Sequence, residues 1–290
     1  MRRLFLILAI LLIPVAVFAA MVLADRSFGQ PGRGYDYVVA VDLPNADAAK
    51  RLPQIEGPLD ASRPLVVIDA GHGGKDPGAG TGDLKEKTLT LMLAEALRDA
   101  LLKQGGVRVA LTRGDDTYLF LGERPSIARA LGADLFISIH ADSTEAESGA
   151  LGATVYTLSA KGSNQAAEKM AARENAADQV YGVTIEGQSG DVSAALIDLA
   201  QRQTQARSEL FAGLILREGR GAMPFKETEP QSAAFAVLKS PDVPSVLFET
   251  GYINNSSDVA RLMSPAGRLT FAQTIARAIR VFFVRTSTAP

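Results

Sequence analysis

Short apolar runs alternate along the chain with longer segments in which apolar residues recur every three or four positions. The short runs predict strands at 65–70, 107–112, 135–140, 149–158, 233–239 and 245–249. The longer segments predict helices at about 86–104, 123–132, 163–180, 192–217 and 266–284. Because strands and helices alternate, we predict an α/β fold with a single mixed, mostly parallel sheet flanked by helices.

Segment 160–230 departs from this alternation. It is rich in Ala, Gln, Glu and Arg, and it separates two strand-forming blocks by roughly seventy residues, whereas connections usually have about two to six. Connections of such length are commonly functional lids. We therefore interpret 160–230 as an inserted helical lid, formed by two helices laid over the domain.

The first 63 residues have a different character. A basic start, Met1–Arg3, precedes an apolar run from Leu4 to Ala24 that contains small residues typical of a secretory cleavage site. The run has the length of about 20 residues that an uncleaved membrane anchor needs. We interpret 1–24 as a signal peptide or N-terminal anchor and 25–63, in which prolines recur, as a linker. In both cases we expect the rest of the chain to be exported.

Composition restricts the chemistry. The 290 residues include 30 basic and 32 acidic ones, with a net charge of −2, which gives no reason to expect a nucleic-acid partner. The chain has no cysteine, so disulfides and thiolate metal ligands are excluded. A metal site would have to use carboxylates and the chain's two histidines, His72 and His140.

Both histidines follow apolar strand-forming runs. Neighbouring strands lie about 4.8 Å apart, so side chains at their ends can converge on one ion, and Glu86 would open the next helix nearby. A His, Glu, His set is a ligand type that suits a catalytic zinc with a position left for water. The simpler alternative is that each histidine is a core or capping residue.

A carboxylate ends another apolar run, at Glu249 just before Gly251. Beside a zinc ion this glutamate would be placed to act as a general base on water. The alternative is a structural role, in which Glu249 caps a following helix or pairs with an arginine.

Five stretches in this order resemble zinc-dependent N-acetylmuramoyl-L-alanine amidases of bacterial cell-wall metabolism. They are VVIDAGHGGKDPGA (66–79), EKTLTLMLAEALRDAL (86–101), LTRGDDTYLFLGER (111–124), ADLFISIHADS (133–143) and PSVLFETGYINNSSD (244–258). Several ordered motifs are a far more specific signal than one short pattern. The resemblance spans about 65–284 and implies a catalytic domain over 64–286.

The resemblance assigns roles to residues already singled out. It implies that His72, Glu86 and His140 bind one Zn²⁺ ion and that Glu249 is the catalytic glutamate. It also implies a supporting role for three charged residues, which we expect to organise a loop through charge-assisted hydrogen bonds: Arg113, Asp116 and Arg124. The chain departs from the family pattern at Asp142, where many members have Asn, and at Asn255–Ser256, where Asn-Pro is frequent.

A further implication concerns regulation. In members that resemble the division amidases, an inserted helix covers the zinc and a glutamate from it takes the open coordination position. Segment 171–178 resembles the start of that insert, so Glu174 is the candidate inhibitory ligand, and a protein activator would have to move the helix. The alternative is that Glu174 is a solvated residue on an alanine-rich helix.

The implied reaction is hydrolysis of the amide between the lactyl group of N-acetylmuramic acid and L-alanine in peptidoglycan, for cell-wall remodelling and daughter-cell separation in the periplasm. A zinc peptidase with the same ligand types and a non-catalytic wall-binding module remain alternatives. A phosphate-binding loop at Gly71–Lys75 is excluded, because the required spacing is missing and no Ser or Thr follows the lysine.

Overall fold

A computed structural model describes residues 52–143, 149–178 and 194–287. The predicted signal or anchor and most of the predicted linker lie outside these ranges. Within them, no helix combines the length and the apolar character that crossing a bilayer requires. The strands of the described part are β1 (Leu65–Ala70), β2 (Gly80–Thr81), β3 (Leu84–Lys85), β4 (Arg108–Leu111), β5 (Leu135–Asp142), β6 (Thr154–Leu158), β7 (Gln231–Ala233) and β8 (Ser245–Tyr252).

Helices occupy most of the remaining described residues. They are α1 (Glu86–Gln104), α2 (Glu123–Ala130), α3 (Gln165–Asn175), α4 (Ala194–Gly219), α5 (Ser256–Met263) and α6 (Pro265–Ser287), with a 3₁₀ turn at Ala236–Leu238. The main sheet has the order β4-β1-β5-β8-β6-β7. Strand β6 runs antiparallel to β8 and the other neighbours are parallel, which confirms the predicted single mixed, mostly parallel sheet.

The sheet buries both faces, so its central strands are continuously apolar rather than alternating. Successive side chains point to opposite faces: Val66 and Ile68 of β1 join the core beneath α1, α4 and α6, and Leu65 and Val67 join the core beneath α2 and α3. Leucines of α1 recur at helical spacing on the first face, at positions 89, 93, 97 and 101, and all are fully buried.

The two helices predicted in 160–230 both form, but they have different structural roles. In α4, Phe211 and Ile215 are fully buried, and the Phe211 ring lies 5.4 Å from that of Phe282 in α6. Helix α4 is therefore a component of the main core. Helix α3 is the element that lies over the carboxyl ends of the strands.

Several sequence predictions of secondary structure were wrong in detail, among them the strand predicted at 149–158, which begins only at Thr154. The strand predicted at 233–239 ends at Ala233, and a 3₁₀ turn replaces its remainder. Helix α5 was missed, although Asn255 caps it by accepting hydrogen bonds from the backbone of Ser257 and Asp258. The described end of the predicted linker pairs once with the sheet, through Glu56 and Val109.

Candidate metal centre and active site

The side chains of four residues from separate elements converge at the carboxyl ends of β1 and β5. Glu86 Oε1 lies 3.1 Å from His72 Nε2 and 3.2 Å from His140 Nδ1. Glu174 Oε2 lies 3.5 Å and 3.2 Å from the same two nitrogens. All four side chains are buried. The structure therefore brings together the three predicted metal ligands and the predicted inhibitory glutamate.

Glycines make this approach feasible. A Cβ atom added at Gly71 would lie 2.5 Å from the His140 ring, and one added at Gly78 would lie 2.6 Å from both Glu86 Oε2 and His72 Cδ2. Between them, His72 itself adopts a left-handed backbone with φ of 61°, which costs free energy for a residue with a side chain. The glycine-rich turn after β1 thus folds the backbone tightly around the site.

Hydrogen bonds fix the orientation of the converging groups. Asp76 Oδ2 lies 2.8 Å from His72 Nδ1, which leaves Nε2 directed at the centre. Glu86 Oε1 accepts a hydrogen bond from the backbone of Ala141, and Oε2 accepts one from Ala79. Sequence reasoning missed Asp76, although its position four residues after a candidate ligand was the available signal.

Two buried arginines hold the backbone behind the site. Arg113 donates to the carbonyl oxygens of Ala70, Gly71 and Lys87, at 2.8–2.9 Å. Arg124 donates to the carbonyl oxygen of His72 at 2.9 Å and pairs with the buried carboxylate of Asp69 at 2.8 Å. Asp116 accepts hydrogen bonds from the Gly74 backbone and from Lys87 Nζ. All three side chains thus contact the turn that follows β1 or the start of α1.

Glu249 lies beside this cluster, because it is the register partner of His140 on the adjacent parallel strand. Its side chain is buried, with 2% of the residue exposed. Neither carboxylate oxygen has a hydrogen-bond partner among the residues that the structure describes. Burial, reinforced by the charges of Asp142 and Glu174, raises the pKa of Glu249 well above its usual value. A buried, unpaired carboxyl with a raised pKa is the kind of group that serves as a general acid or base.

Helix α3 carries Glu174 into the site and is held on several sides. Glu174 is 6% exposed, so the alternative of a solvated helix residue is wrong. The preceding Arg173 binds Asp142 Oδ1 and the Ser143 carbonyl oxygen, each at 2.6 Å. Asn175 bridges to the backbone of Ala234 and Ala236 on the other side of the helix. Sequence reasoning identified Glu174 but missed Arg173, whose partner is distant in the chain.

Groups of opposite charge compensate one another within the cluster. Burial opposes protonation of the imidazoles, yet Glu86 and Asp76 raise the pKa of His72 to about 9. Glu174 and Glu86 likewise raise the pKa of His140 to about 10. Protons on the two histidines thus compensate the buried carboxylates, and a divalent cation can take their place.

The donor spacing also fits a zinc ion. His72 Nε2 has no hydrogen-bond partner among the described residues, although Glu86 Oε1 is only 3.1 Å away. A tetrahedral site with bonds of about 2.0–2.1 Å separates neighbouring donors by about 3.3 Å, and the four distances above lie between 3.1 and 3.5 Å.

Comparison with known proteins identifies the family in which this site occurs. The family described as N-acetylmuramoyl-L-alanine amidase (Amidase_3) matches residues 66–281. The chain belongs to this family. It is therefore an amide hydrolase of the N-acetylmuramoyl-L-alanine amidase class, as the resemblance of its five motifs implies.

Curated amidases are similar over most of the chain. The chain is 39% identical to AmiA of Escherichia coli K12 over 76% of each protein, and 33% identical to AmiC of E. coli O6:H1 over 94% of the chain and 67% of that protein. It is 37% identical to AmiC of Neisseria meningitidis over 82% of the chain and spans 57% of that relative.

Solved amidase structures share the fold. AmiC2 of Nostoc punctiforme is 28% identical with a TM-score of 0.51, and the match covers 77% of this chain and 98% of that one. The catalytic domain of CwlV from Bacillus (Paenibacillus) polymyxa is 27% identical with the same TM-score, and the match covers 76% and 98% of the two chains. The amidase fold thus accounts for nearly the whole described part of the chain.

Proposed function

We propose that the chain is a zinc-dependent amidase of the cell envelope. It would hydrolyse the amide between N-acetylmuramic acid and L-alanine in peptidoglycan, during cell-wall remodelling and daughter-cell separation. The observation that carries the proposal is the unpaired carboxyl of Glu249 in register with His140, beside a buried set of two imidazoles and a carboxylate. A module that only bound the cell wall would need no such group.

His72, Glu86 and His140 would hold the metal. The supporting observations are the convergence of their donor atoms and the buried His72 Nε2 that lacks a hydrogen-bond partner. A zinc ion held there supplies Lewis-acid activation of water near neutral pH and polarises the scissile carbonyl. Asp76 keeps the His72 ring in the required tautomer by accepting from Nδ1.

Glu249 would move the protons of the reaction. It accepts a proton from the attacking water and delivers it to the amine nitrogen as the carbon–nitrogen bond breaks. Its raised pKa makes the carboxylate a stronger base towards the attacking water than an exposed glutamate would be. The position on β8 is rigid because the neighbours of Glu249 in the sheet, on β5 and β6, fix the backbone on both sides.

The site would be closed by α3 in the resting enzyme. Glu174 lies against both histidines, and Arg173 and Asn175 bind the helix to its surroundings. Activity then requires a second state in which α3 has moved, and a protein activator that prefers this state would shift the population towards it. We place the enzyme in the periplasm, with residues 1–24 as its export signal or inner-membrane anchor.

Digestion of purified sacculi tests the proposal. The Glu174→Gln variant is incubated with sacculi, with and without a metal chelator, and the products are analysed by mass. We expect intact stem peptides that begin with a free L-alanine amine, and glycan strands that carry free lactyl carboxylates. Cleavage within the stem peptide would instead assign a peptidase, and chelator-resistant cleavage would refute the metal dependence.

The unaltered chain is the matched comparison for closure by α3. It should digest sacculi more slowly than Glu174→Gln, and equal rates would argue against the inhibitory role. Point variants are needed here because deletion of 160–225 would remove the core residues Phe211 and Ile215 of α4.

A further inference from the structure

Two consecutive residues of α3 present opposite charges to the site at separate points. Glu174 places its carboxylate against His72 Nε2 and His140 Nδ1. Arg173 places its guanidinium against the Asp142 carboxylate, with Nη2 2.6 Å from Oδ1. The closed site thus holds an anion and a cation side by side.

The products of amide hydrolysis carry the same two charges. Water adds its hydroxyl to the lactyl carbonyl carbon, the carbon–nitrogen bond breaks, and the nitrogen takes the other proton of the water. The carboxylic acid so formed gives its proton to the amine, because an α-amino group has a pKa of about 8 and a carboxyl one of about 4. A carboxylate on the glycan and an ammonium on the stem peptide are therefore neighbours directly after cleavage.

We propose that Asp142 binds the new amino group of the stem peptide, and that the Arg173–Glu174 pair fills the resting site as a mimic of the two products. The inference rests on the proposed amidase function. It assigns Asp142 as a specificity-determining residue for the leaving amine, a role separate from that of the metal ligands and of Glu249.

The location of Asp142 supports this assignment. It ends β5 two residues after His140, and the register with β8 shifts there, because His140 pairs with Glu249 and Asp142 with Tyr252. Asp142 is buried and lies on the same face of β5 as His140, whose register partner on β8 is Glu249. A nitrogen that receives its proton from Glu249 therefore forms near Asp142.

Charge compensation gives a second argument. The Asp142 carboxylate is buried, and the Arg173 guanidinium, 2.6 Å away, is the cation that compensates it in the closed site. When α3 moves away, this buried carboxylate loses its cation, and leaving a buried charge unpaired is costly. The ammonium of the stem peptide can replace the guanidinium there with a charge-assisted hydrogen bond.

A binding experiment tests the proposal without relying on turnover. The probes are L-alanyl-D-isoglutamine with a free amino group and the same dipeptide with an acetylated amine. Calorimetry measures both on the zinc-loaded full chain that carries Arg173→Gln and Glu174→Gln, which removes both product-like charges. We expect the free amine to bind about tenfold or more tightly than the acetylated form.

Adding Asp142→Asn to the double variant should remove its preference for the free amine. Adding Glu229→Gln, at an exposed site, should leave that preference intact. A preference that survives Asp142→Asn, or no preference in the double variant, would overturn the proposal. A purely structural Arg173–Asp142 contact predicts the latter outcome. Thermal unfolding of each variant confirms that it is folded, and Asp142→Ser serves as a second test if Asp142→Asn is not.

Sacculus digestion by the same preparations separates this inference from the proposed function. Release of intact stem peptides without an amine preference would refute the role of Asp142 alone. No release by any preparation would refute the amidase proposal on which the inference depends.

Discussion

His140 on β5 and Glu249 on β8 are register partners in adjacent parallel strands. The separation between a candidate metal ligand and the candidate base is therefore set by the sheet and not by a loop. Sheet neighbours lie about 4.8 Å apart and keep that spacing as long as the sheet is intact. Either side chain can thus be substituted while the strand that carries the other side chain stays in place.

Glu249→Gln should abolish turnover and leave metal binding intact. The amide is nearly isosteric with the carboxyl but cannot take up or release a proton, so we expect a loss of about 10²–10⁴-fold in the rate of sacculus digestion. Zinc content, measured by atomic absorption on the dialysed protein, should stay at that of the unaltered chain. His140→Ala should lose both properties, and near-normal digestion by the Gln variant would remove Glu249 from the mechanism.

Asp76→Asn should weaken zinc binding without removing it. The substitution leaves His72 Nδ1 with a poorer partner than the carboxylate now 2.8 Å away, and losing such a partner typically costs about 10–100-fold in metal affinity. Competition with a chromogenic chelator measures the affinity. Activity should recover at saturating zinc, and Asp83→Asn, at an exposed position, is the control. Unchanged affinity would show that the contact with His72 is incidental.

Asp178→Asn should raise the activity of the otherwise unaltered chain. Asp178 follows α3 and accepts hydrogen bonds from the Tyr118 hydroxyl and the Leu121 backbone. Weakening two such bonds costs about 1–3 kcal/mol, which increases the population of displaced α3 roughly 5- to 150-fold. Sacculus digestion reports the activity, and limited proteolysis near 171–178 reports the displacement. Faster proteolysis without faster digestion would separate movement of α3 from inhibition.

The metal-free protein should lose stability as the pH rises. The folded-state pKa values of His72 and His140, about 9 and about 10, lie above the unfolded value of about 6.5. Protonated histidines therefore contribute stability that is complete below pH 6.5 and is lost as the pH rises through 9 to 10. Thermal unfolding of chelator-treated protein between pH 6 and 10 should show the decline. The zinc-loaded protein should not show it, because its histidines bind the ion in their neutral form.

Much of this site could be predicted from the sequence because its residues stand at the ends of recognisable elements. His72 follows the apolar strand β1, His140 lies near the end of β5, and Glu86 begins a helix whose leucines recur at helical spacing. Parallel strands bring their carboxyl ends to one edge of the sheet, so three distant segments had to meet there. The two histidines were informative because the chain has no others.

The contacts that sequence reasoning missed depend on tertiary geometry. Arg173 and Asp142 lie 31 positions apart, and nothing in the local pattern of either residue indicates a partner. The apolar residues 233–239 are compatible with a strand or with a tight turn. The structure has a 3₁₀ turn there, which packs in the same core as α3. Helix α4 lies in a segment rich in Ala, Gln, Glu and Arg, yet Phe211 and Ile215 pack in the core beside α6, a tertiary contact that the local pattern does not reveal.

The burial of α4 limits how far any opening motion extends. Phe211 and Ile215 of α4 are fully buried, so a displacement of α3 that kept this core intact would leave α4 in place. Under the proposed closure of the site by α3, an activator would have to displace only this helix of eleven residues, while the sheet stays in place. The free energy of activation would then be set by the side-chain contacts of α3 rather than by those of the core.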